Sequence, residues 1–578
     1  MIYEKISPGL LLALQDFQVE GPQGLTWQTK SLGLLPSVKT VKPARAIVFV
    51  YCDEDADLEH LSQHDIQINQ TTGRIRTAIL PLESLDPLSE EPSVQRIKPS
   101  RYLKPLMDVA PGKVKLPDFL RSNSLSGQGT IIGIIDSGID SSHPAFAGRI
   151  LQIWDQTLGG PGVTEGKYGL EISGATLIAS HDIDGHGTHV AGIAAGKDAT
   201  FNGIAPDAQL VIVKTDFQDA HIADGIRYIF RIATQLGLPA VVNLSLGGHF
   251  DAHDGSDSLS LTIDAESGPG RIVCCAAGNE GNDNIHGQIT VAPGQMSTMR
   301  FLVPTGVTGM ALLNGWYSGN SSLEVSIRTP GRFVTPFQGM ITSGDPTKSH
   351  SLPDAQIEIS SPGSDPVNKD KNFFVQIRDP LRSNPVKGGI WQLRVRNIST
   401  ANAQLDVWSL DGQPTPQVVF TGTSIQDAVK IGSPGAAGRA ITVASYTTKA
   451  QYIDIDNVQR DIGLVLDSIS DFSCEGPLRN GEQKPDVAAP GAMIVSALSA
   501  DASYERSQKI NDKFVVLAGT SMAAPFITGI IALLLQRNPL LKPEEIKNIL
   551  HINSFVPGQP AGTFDPKWGF GLLDTSSL

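Results

Sequence analysis

The chain has 578 residues, of which 40% are hydrophobic and 18% charged, as in a globular protein and unlike a disordered one. This length predicts three folding units, or two units of which one is large. The formal net charge is −14, and no run of Lys and Arg is present. Because proteins that bind phosphate backbones usually carry a basic face, we expect no nucleic-acid partner.

The N-terminal residues lack the features of a signal peptide. Met1–Lys5 contains no basic segment, and the apolar stretch Leu10–Leu14 is too short for a signal sequence. No run of about 18 apolar residues occurs, so we expect no membrane span. The simplest expectation is a cytoplasmic location, with export without a leader as the open alternative.

The chain contains four cysteines, Cys52, Cys274, Cys275 and Cys474. Their spacing fits neither a metal knuckle nor a disulfide framework. Two of them are adjacent within an apolar run. We therefore expect buried free thiols, in a protein of a reducing compartment.

Residues 45–100 have the pattern of a small α+β unit. Strands are predicted at Ala46–Tyr51, Ile66–Asn69, Arg74–Leu80 and Val94–Ile97, and helices at Asp57–Gln63 and Leu82–Ser89. The second and third strands form a hairpin around Thr72-Gly73. The order β-α-β-β-α-β is a split βαβ pattern.

From about Gly127 to Gly281, buried strands alternate with helices. The strands are Ile131–Ile135, Leu210–Val213, Ala240–Leu244 and Arg271–Ala276, and the helices include His186–Ala195 and Ala223–Leu236. Such alternation predicts an α/β fold, with a parallel sheet covered by helices on both faces. The pattern resumes at Ala440–Ala444 and ends in the long apolar helix Ser521–Arg537.

Residues from about 285 to 415 interrupt this α/β pattern. They contain short segments that are apolar at every second position, such as Leu323–Ile327, Phe373–Ile377 and Trp391–Val395, separated by Gly, Pro, Ser and Asn. This pattern is typical of a β-sandwich. The α/β domain is therefore predicted to contain an inserted β domain.

Two polar residues lie where α/β proteins place their active sites. Asp136 directly follows a buried strand, although many such residues only cap the following turn. His186 begins a helix, with Gly185 and Gly187 beside it. His189 lies three residues further on, but no H-E-x-x-H pattern occurs and no acid follows at helical spacing. Zinc binding is therefore disfavoured, and a structural role is expected for His189.

Two further residues suit the stabilisation of an oxyanion. Ser521 follows a Gly-Thr turn at the start of a helix, whose N-terminus supplies positive potential for an oxyanion. The alternative is that Ser521 only caps the helix. Asn279 follows another buried strand, and its amide can donate a hydrogen bond to a tetrahedral intermediate.

Six short strings occur in one order along the chain: IIDSGID, HGTHVAG, NLSLGG, AAGNEG, KPDVAAPG and GTSMAAP. Together they resemble the motifs of the subtilisin-like serine peptidases, the subtilases, over residues 127–282 and about 430–578. The resemblance implies that Ser521 is the nucleophile, His186 the general base and acid, and Asp136 the residue that orients the imidazole. It also implies that Asn279 and the backbone N–H of Ser521 bind the oxyanion. The intact histidine motif differs from the sedolisins, which have Glu in place of the His.

The resemblance also implies a substrate cleft with two walls. The edge segment, against which an extended substrate pairs as an added strand, is Ser245, Leu246 and Gly247. The wall of the primary specificity pocket contains Ala276, Ala277 and Gly278. These small residues suit a large apolar P1 side chain, whereas Glu280 would favour a basic one.

The same resemblance divides the chain into four segments. They are an N-terminal pro-region at 1–108 with a ferredoxin-like core at about 45–100, the catalytic domain at 109–282 and 426–578, and a jelly-roll-like β-sandwich at 283–425. This layout resembles that of clostridial spore-germination subtilases. It implies a zymogen whose pro-region acts as intramolecular inhibitor and folding template, with autocleavage within about residues 98–113.

The insert begins just after Asn279, so it either lies beside the cleft or is a stabilising appendage.

The usual high-affinity calcium site of the family is predicted to be absent. The string Ser142–Ala145 lacks the expected acid, and the segment Gly196–Gly203 is short for a calcium loop. We therefore expect no required cofactor, no metal ligands, and protein or peptide substrates.

Two alternatives to peptidase function stay open. One is a non-catalytic protein on the same fold, which usually lacks a triad residue. The other is a transpeptidase that shares the acyl-enzyme.

Overall fold

The computed structural model describes residues 1–2, 5–6, 14, 17, 34–35, 44–68, 75–99, 115, 120, 124–306, 310–341, 347–365, 367–381, 384–410 and 417–578. The chain divides into two compact units, Met1–Pro105 and Leu106–Leu578. The predicted cleavage window, about residues 98–113, lies outside the described residues except for its first two positions. The predicted hairpin turn at Thr72-Gly73 also lies outside them.

The first unit is built on a five-stranded antiparallel sheet. Its elements are β1 (Leu34–Leu35), β2 (Arg45–Cys52), β3 (Gln67–Ile68), β4 (Ile75–Pro81), β5 (Val94–Pro99), the helix α1 (Leu85–Glu90) and a 3-10 helix at Glu59–His64. Ala46, Val48 and Val50 of β2 are buried, which is the period-two pattern of a strand with one face on a core. From β2 to β5 the elements follow the predicted order, except that the first helix is a 3-10 helix, whereas β1 was not predicted.

The second unit begins with a run of strands and helices. These are β6 (Ile131–Asp136), β7 (Ile150–Asp155), β8 (Leu170–Ser173), α2 (His186–Ala195), β9 (Gln209–Lys214), α3 (Asp219–Leu236), β10 (Ala240–Leu244), α4 (Ser258–Glu266) and β11 (Arg271–Ala276). β6 is buried at every position, as expected for a strand covered on both faces.

An insert of β-strands follows. It contains β12 (His286–Val291), β13 (Met296–Val303), β14 (Met310–Tyr317), β15 (Leu323–Arg328), β16 (Thr347–Leu352), β17 (Ala355–Ser364), β18 (Lys371–Arg378), β19 (Gly389–Asn397), β20 (Ala403–Ser409) and β21 (Val419–Thr421). They form a six-stranded sheet, in the order β12-β20-β14-β18-β17-β16, and a four-stranded sheet, β15-β19-β13-β21. Both sheets contribute side chains to one apolar core, including Val375 and Trp391, so the insert is a β-sandwich.

The remainder of the chain returns to the α/β pattern. Its elements are β22 (Ile441–Tyr446), β23 (Gln451–Ile453), β24 (Gln459–Asp461), β25 (Val487–Pro490), β26 (Ile494–Ala497), β27 (Lys509–Asn511), β28 (Phe514–Leu517), α5 (Thr520–Arg537), α6 (Pro543–Ile552), β29 (Ser554–Phe555) and β30 (Leu572–Leu573).

One ten-stranded sheet joins the two halves of the α/β domain. Its order is β29-β30-β25-β22-β11-β10-β6-β9-β7-β8. The strands from β30 to β7 are parallel, and only β8 and β29, at the two edges, are antiparallel. β11 and β22 flank the insert in sequence and pair directly. The chain therefore departs from the sheet after one strand and returns in the neighbouring strand. The insert does not interrupt the sheet.

Helices cover both faces of the sheet, as predicted. α2, α5 and α6 pack in a core on one face, and α3 and α4 pack in a core on the other. By length and composition α5 could cross a membrane, and 89% of it is buried inside the protein. All four cysteines are free and buried, which confirms the prediction of buried thiols.

Candidate active site

Asp136 ends β6, His186 begins α2, and their side chains are joined. His186 Nδ1 lies 2.7 Å from Asp136 Oδ1, which also accepts a hydrogen bond from the backbone N–H of Ser137 at 2.7 Å. Asp136 is fully buried, and its Oδ2 has no hydrogen-bond partner among the described residues. A carboxylate in this position keeps the imidazole proton on Nδ1, so that Nε2 can act as a base.

Opposing effects set the pKa of His186. Burial lowers this pKa by disfavouring the imidazolium, but the charge of Asp136 and its hydrogen bond outweigh burial and raise the pKa to about 9. At neutral pH the resting imidazole is therefore protonated. It must lose this proton before it can act as a base.

The loop that leads into α2 is built around Asp182, which no motif had singled out. Its buried carboxylate accepts hydrogen bonds from Ser137 Oγ (2.8 Å), the Gly185 N–H (2.9 Å), and the N–H (2.8 Å) and Oγ1 (2.6 Å) of Thr188. It therefore ties the turn after Asp136 to the start of α2. The only signal in the sequence was an acidic residue shortly before the histidine motif.

His189, on the next turn of α2, has the structural role predicted for it. The side chain is fully buried, and Nε2 lies 3.2 Å from the carbonyl oxygens of both Ile494 and Val515. Burial and the neighbouring His186 lower the pKa of His189 to about 3, so its imidazole stays neutral.

Ser521 lies in the first turn of α5, where Pro525 determines its surroundings. Pro525 has no N–H, so the Ser521 carbonyl lacks its usual partner four residues along the helix. Ser245 Oγ donates to that carbonyl at 2.8 Å, and Ser521 Oγ donates to the Ser245 carbonyl at 3.3 Å. Ser245 Oγ in turn accepts from Asn243 Nδ2 at 2.9 Å. The end of β10 thus holds the start of α5 in place.

The nucleophile predicted from the sequence is not hydrogen-bonded to its predicted base. Within the described residues, the hydroxyl of Ser521 bonds to the Ser245 carbonyl, and His186 Nδ1 bonds to Asp136. In structures without substrate, contacts between catalytic groups are often long or poorly aligned and tighten only in the complex. The structure thus pairs two members of the predicted triad, whereas the hydroxyl of the third member, Ser521, donates to a backbone carbonyl.

Asn279 follows β11 and is anchored to the start of α5. Its Oδ1 accepts hydrogen bonds from the backbone N–H and from Oγ1 of Thr520, at 2.9 and 3.0 Å. Its Nδ2 has no partner in the described part of the chain, and the residue is exposed. Because Oδ1 is fixed, Nδ2 is held ready to donate a hydrogen bond near the N-terminus of α5, where the helix dipole is positive.

One cleft of about 140 Å³ brings the predicted substrate residues together with Ser521 and Asn279. Its lining includes all six of them: Ser245, Leu246, Gly247, Ala276, Ala277 and Gly278. The edge segment and the pocket wall predicted from the sequence therefore face the same space. Two further residues of the cleft, His249 and Glu280, are joined to each other.

Glu280 is held by three partners. Its Oε2 accepts a hydrogen bond from the Asn279 N–H at 2.8 Å, and lies 3.4 Å from His249 Nε2 and 3.3 Å from Cys474 Sγ. Burial raises the pKa of Glu280, but His249 and the hydrogen bonds outweigh it, and the pKa is about 2. The ionised carboxylate is thus shared among neighbours in the cleft wall.

A parallel sheet with an Asp–His pair at its carboxyl edge, and a serine and a free amide donor at a nearby helix N-terminus, is typical of serine peptidases. Residues 127–299 and 355–571, more than half of the chain, match the family described as the Subtilase family. The chain therefore belongs to the subtilases. The resemblance predicted from the six motifs is confirmed, and the unmatched segment 300–354 lies within the insert.

Individual relatives show the same similarity. The chain is 36% identical over 135 residues to the serine protease AprX of Bacillus subtilis, covering 23% of this chain and 28% of AprX. It is 26% identical over 532 residues to the subtilisin-like protease SBT1.9 of Arabidopsis thaliana, covering 80% of this chain and 65% of that protein. The chain thus spans less than two thirds of either relative.

Among solved structures, the CspB protease of Clostridium perfringens has a similar fold. The TM-score is 0.67 at 23% sequence identity, and the alignment covers 81% of this chain and 95% of the CspB chain. At this level of identity the similarity concerns the fold. It supports the subtilisin-like fold that the sequence resemblance had implied.

Proposed function

We propose that this protein is a serine endopeptidase that hydrolyses peptide bonds through an acyl-enzyme on Ser521. The observation that carries the proposal is the pairing of His186 with Asp136 at 2.7 Å. This pair lies at the carboxyl edge of the sheet. The cleft that contains Ser521 and Asn279 lies at the same edge.

The reaction uses each residue in one role. Ser521 Oγ attacks the scissile carbonyl carbon while Nε2 of neutral His186 takes its proton and later gives it to the leaving amine. Asp136 holds the imidazole tautomer and stabilises the imidazolium that forms. Asn279 Nδ2 and the backbone N–H of Ser521 donate hydrogen bonds to the oxyanion. A water molecule then cleaves the acyl-enzyme by the same steps in reverse.

Substrates are proposed to be proteins or peptides bound as extended strands. Ser245, Leu246 and Gly247 line the cleft beside Ser521, and a segment of this kind can pair its backbone with a substrate. The predictions of a cytoplasmic location, of no required cofactor and of no family calcium site stay predictions. The residues 1–108 are proposed to act as a pro-region that inhibits the catalytic domain and guides its folding.

A fluorophosphonate probe tests the proposed function directly, because it labels only an activated serine. We expect labelling of the wild type and of Ser503→Ala, which alters an exposed serine, and no labelling of Ser521→Ala. Absence of labelling in the wild type, with the N-terminal segment intact or cleaved, would favour the non-catalytic alternative. Labelling that survives Ser521→Ala would assign the nucleophile elsewhere.

A further inference from the structure

Three side chains of different chemical types meet in the wall of the cleft. His249 Nε2 lies 3.4 Å from Glu280 Oε2, Cys474 Sγ lies 3.3 Å from the same oxygen, and the three ligand atoms are all within 4.8 Å of one another. The residues come from distant parts of the chain, so no motif spacing could reveal them. We propose that His249, Glu280 and Cys474 form a binding site for Zn²⁺.

The distances suit a tetrahedral zinc ion. With Zn–S near 2.3 Å and Zn–N and Zn–O near 2.1 Å, tetrahedral ligands are separated by about 3.4–3.6 Å. Two of the three separations in the structure, 3.4 and 3.3 Å, are close to this range before any adjustment, and the third, between His249 and Cys474, is within 4.8 Å. Binding breaks the S–H bond of Cys474, the proton leaves to solvent, and the thiolate coordinates the ion, with no change in oxidation state.

The ligand set selects the kind of metal. Thiolate and imidazole are soft or borderline donors that suit Zn²⁺, whereas Ca²⁺ and Mg²⁺ require six or more oxygen ligands. Gly278 allows the cluster to lie against the backbone, since a Cβ there would lie 2.7 Å from Cys474 Sγ and 3.1 Å from Glu280 Oε2. The prediction of no metal ligands rested on sequence spacing, which this site does not follow.

The surroundings of His249 resemble the outer shell of a metal site. Its Nδ1 lies 3.0 Å from His253 Nε2, so this contact uses the ring nitrogen that does not face Glu280. Metal-binding histidines almost always donate their second ring N–H to a hydrogen-bond acceptor. His253 is fully buried and stacks on Trp408 of β20, with ring centroids 4.0 Å apart. A residue of the insert therefore supports the orientation of a proposed zinc ligand.

The open coordination position has a functional consequence. His249 and Glu280 line the cleft, whereas Cys474 is fully buried. Three protein ligands would leave a fourth position for water or a substrate group, and two of the three ligands line the cleft. Because the backbone N–H of Asn279 donates to Glu280, the ion would also bind beside the oxyanion donor. We expect Zn²⁺ to inhibit peptide hydrolysis by occupying this wall.

Co²⁺ absorption tests the site without reference to activity. The parent is Ser521→Ala, which cannot digest itself if the proposed function is correct. We expect a thiolate-to-cobalt charge-transfer band in the parent and in parent carrying Cys275→Ala, a matched buried thiol. The band should vanish in parent carrying Cys474→Ser, and excess Zn²⁺ should displace Co²⁺. Absence of the band in the parent, or its persistence with Cys474→Ser, would overturn the proposal.

Two further variants keep the test decisive if Cys474→Ser does not fold. His249→Gln and Glu280→Gln retain the thiol and should each weaken Co²⁺ and Zn²⁺ binding by more than about tenfold, since even outer-shell changes cost that much. Unchanged affinity in both would exclude the proposed ligand set. Zinc binding measured in this way is independent of fluorophosphonate labelling, so the failure of one proposal leaves the other standing.

Discussion

His186 holds its proton more tightly than a free histidine does, because Asp136 faces it at 2.7 Å from a fully buried position. An exposed imidazole titrates near pH 6.5, whereas the pKa of His186 is about 9. The buried carboxylate therefore favours the imidazolium in the resting protein. It also stabilises the imidazolium that forms during acylation. The same contact therefore affects both the pH dependence of activity and the activation barrier to acylation.

The first prediction concerns this proton. We expect kcat/KM to rise with pH on a limb displaced above 6.5 towards about 9, because only neutral His186 is a base. Since the pKa is raised on folding, protonation of His186 stabilises the fold below about pH 6.5, and this contribution is lost as pH rises through about 9. Proton NMR of the imidazole in Ser521→Ala measures the pKa, and Asp136→Asn in that background should lower it. An unshifted titration near pH 6.5 would contradict the prediction.

The second prediction concerns Asn279. Asn279→Ala removes the free Nδ2 donor, and we expect kcat to fall by about 10²–10³ with a small change in KM, as for other oxyanion donors. Steady-state kinetics on a peptide substrate measures the effect. Asn320→Ala, at an exposed position in the insert, should leave both constants unchanged. A loss confined to KM would assign Asn279 to ground-state binding instead.

At the scale of elements, the site depends on how strand ends hold helix starts. Asp182 joins the turn after β6 to the start of α2, and Ser245, after β10, bonds to the first turn of α5. The second contact compensates for the missing N–H of Pro525. Each helix start is therefore fixed by side chains of loops at the carboxyl edge of the sheet, and these contacts position the catalytic groups.

The third prediction concerns Asp182. Asp182→Ala leaves buried donors of Ser137, Gly185 and Thr188 without their acceptor, and we expect the free energy of unfolding to fall by about 3 kcal/mol or more. Urea denaturation of the Ser521→Ala protein measures this quantity. The matched control is Asp184→Ala, because Asp184 is exposed and makes one bond of 3.3 Å to the His186 N–H. Equal effects of the two substitutions would contradict the assigned role.

At the scale of the whole molecule, the insert supports the cleft from outside the sheet. Its Asn314 Nδ2 donates to the carbonyls of His249 and Asp251, at 3.4 and 3.1 Å, and its Trp408 stacks on His253. The same loop supplies His249 to the cleft. The insert thus contacts the loop that forms part of the cleft wall, and both roles considered for it stay predictions.

The fourth prediction concerns processing of the chain. If residues 1–108 are a pro-region removed by the catalytic domain itself, N-terminal sequencing should find a new terminus within about residues 98–113 in the wild type. The Ser521→Ala protein, expressed in parallel, should retain Met1 because it cannot form the acyl-enzyme. Two preparations that both begin only at Met1 would refute autocleavage. A new terminus in both would indicate another protease.

The sequence by itself determined the sheet, the insert and the family, because period-two strands, apolar helices and ordered motifs are local patterns. Asp136, His186, Asn279 and Ser521 each lie within such a motif, so they could be named without a structure. Only the tertiary structure decided which side chains meet across long separations. Asp182 beneath the histidine loop and the group of His249, Glu280 and Cys474 depend on loops brought together by the parallel sheet and the insert. Their spacing in the chain carries no signal, because contacts between distant loops are set by packing and not by sequence periodicity.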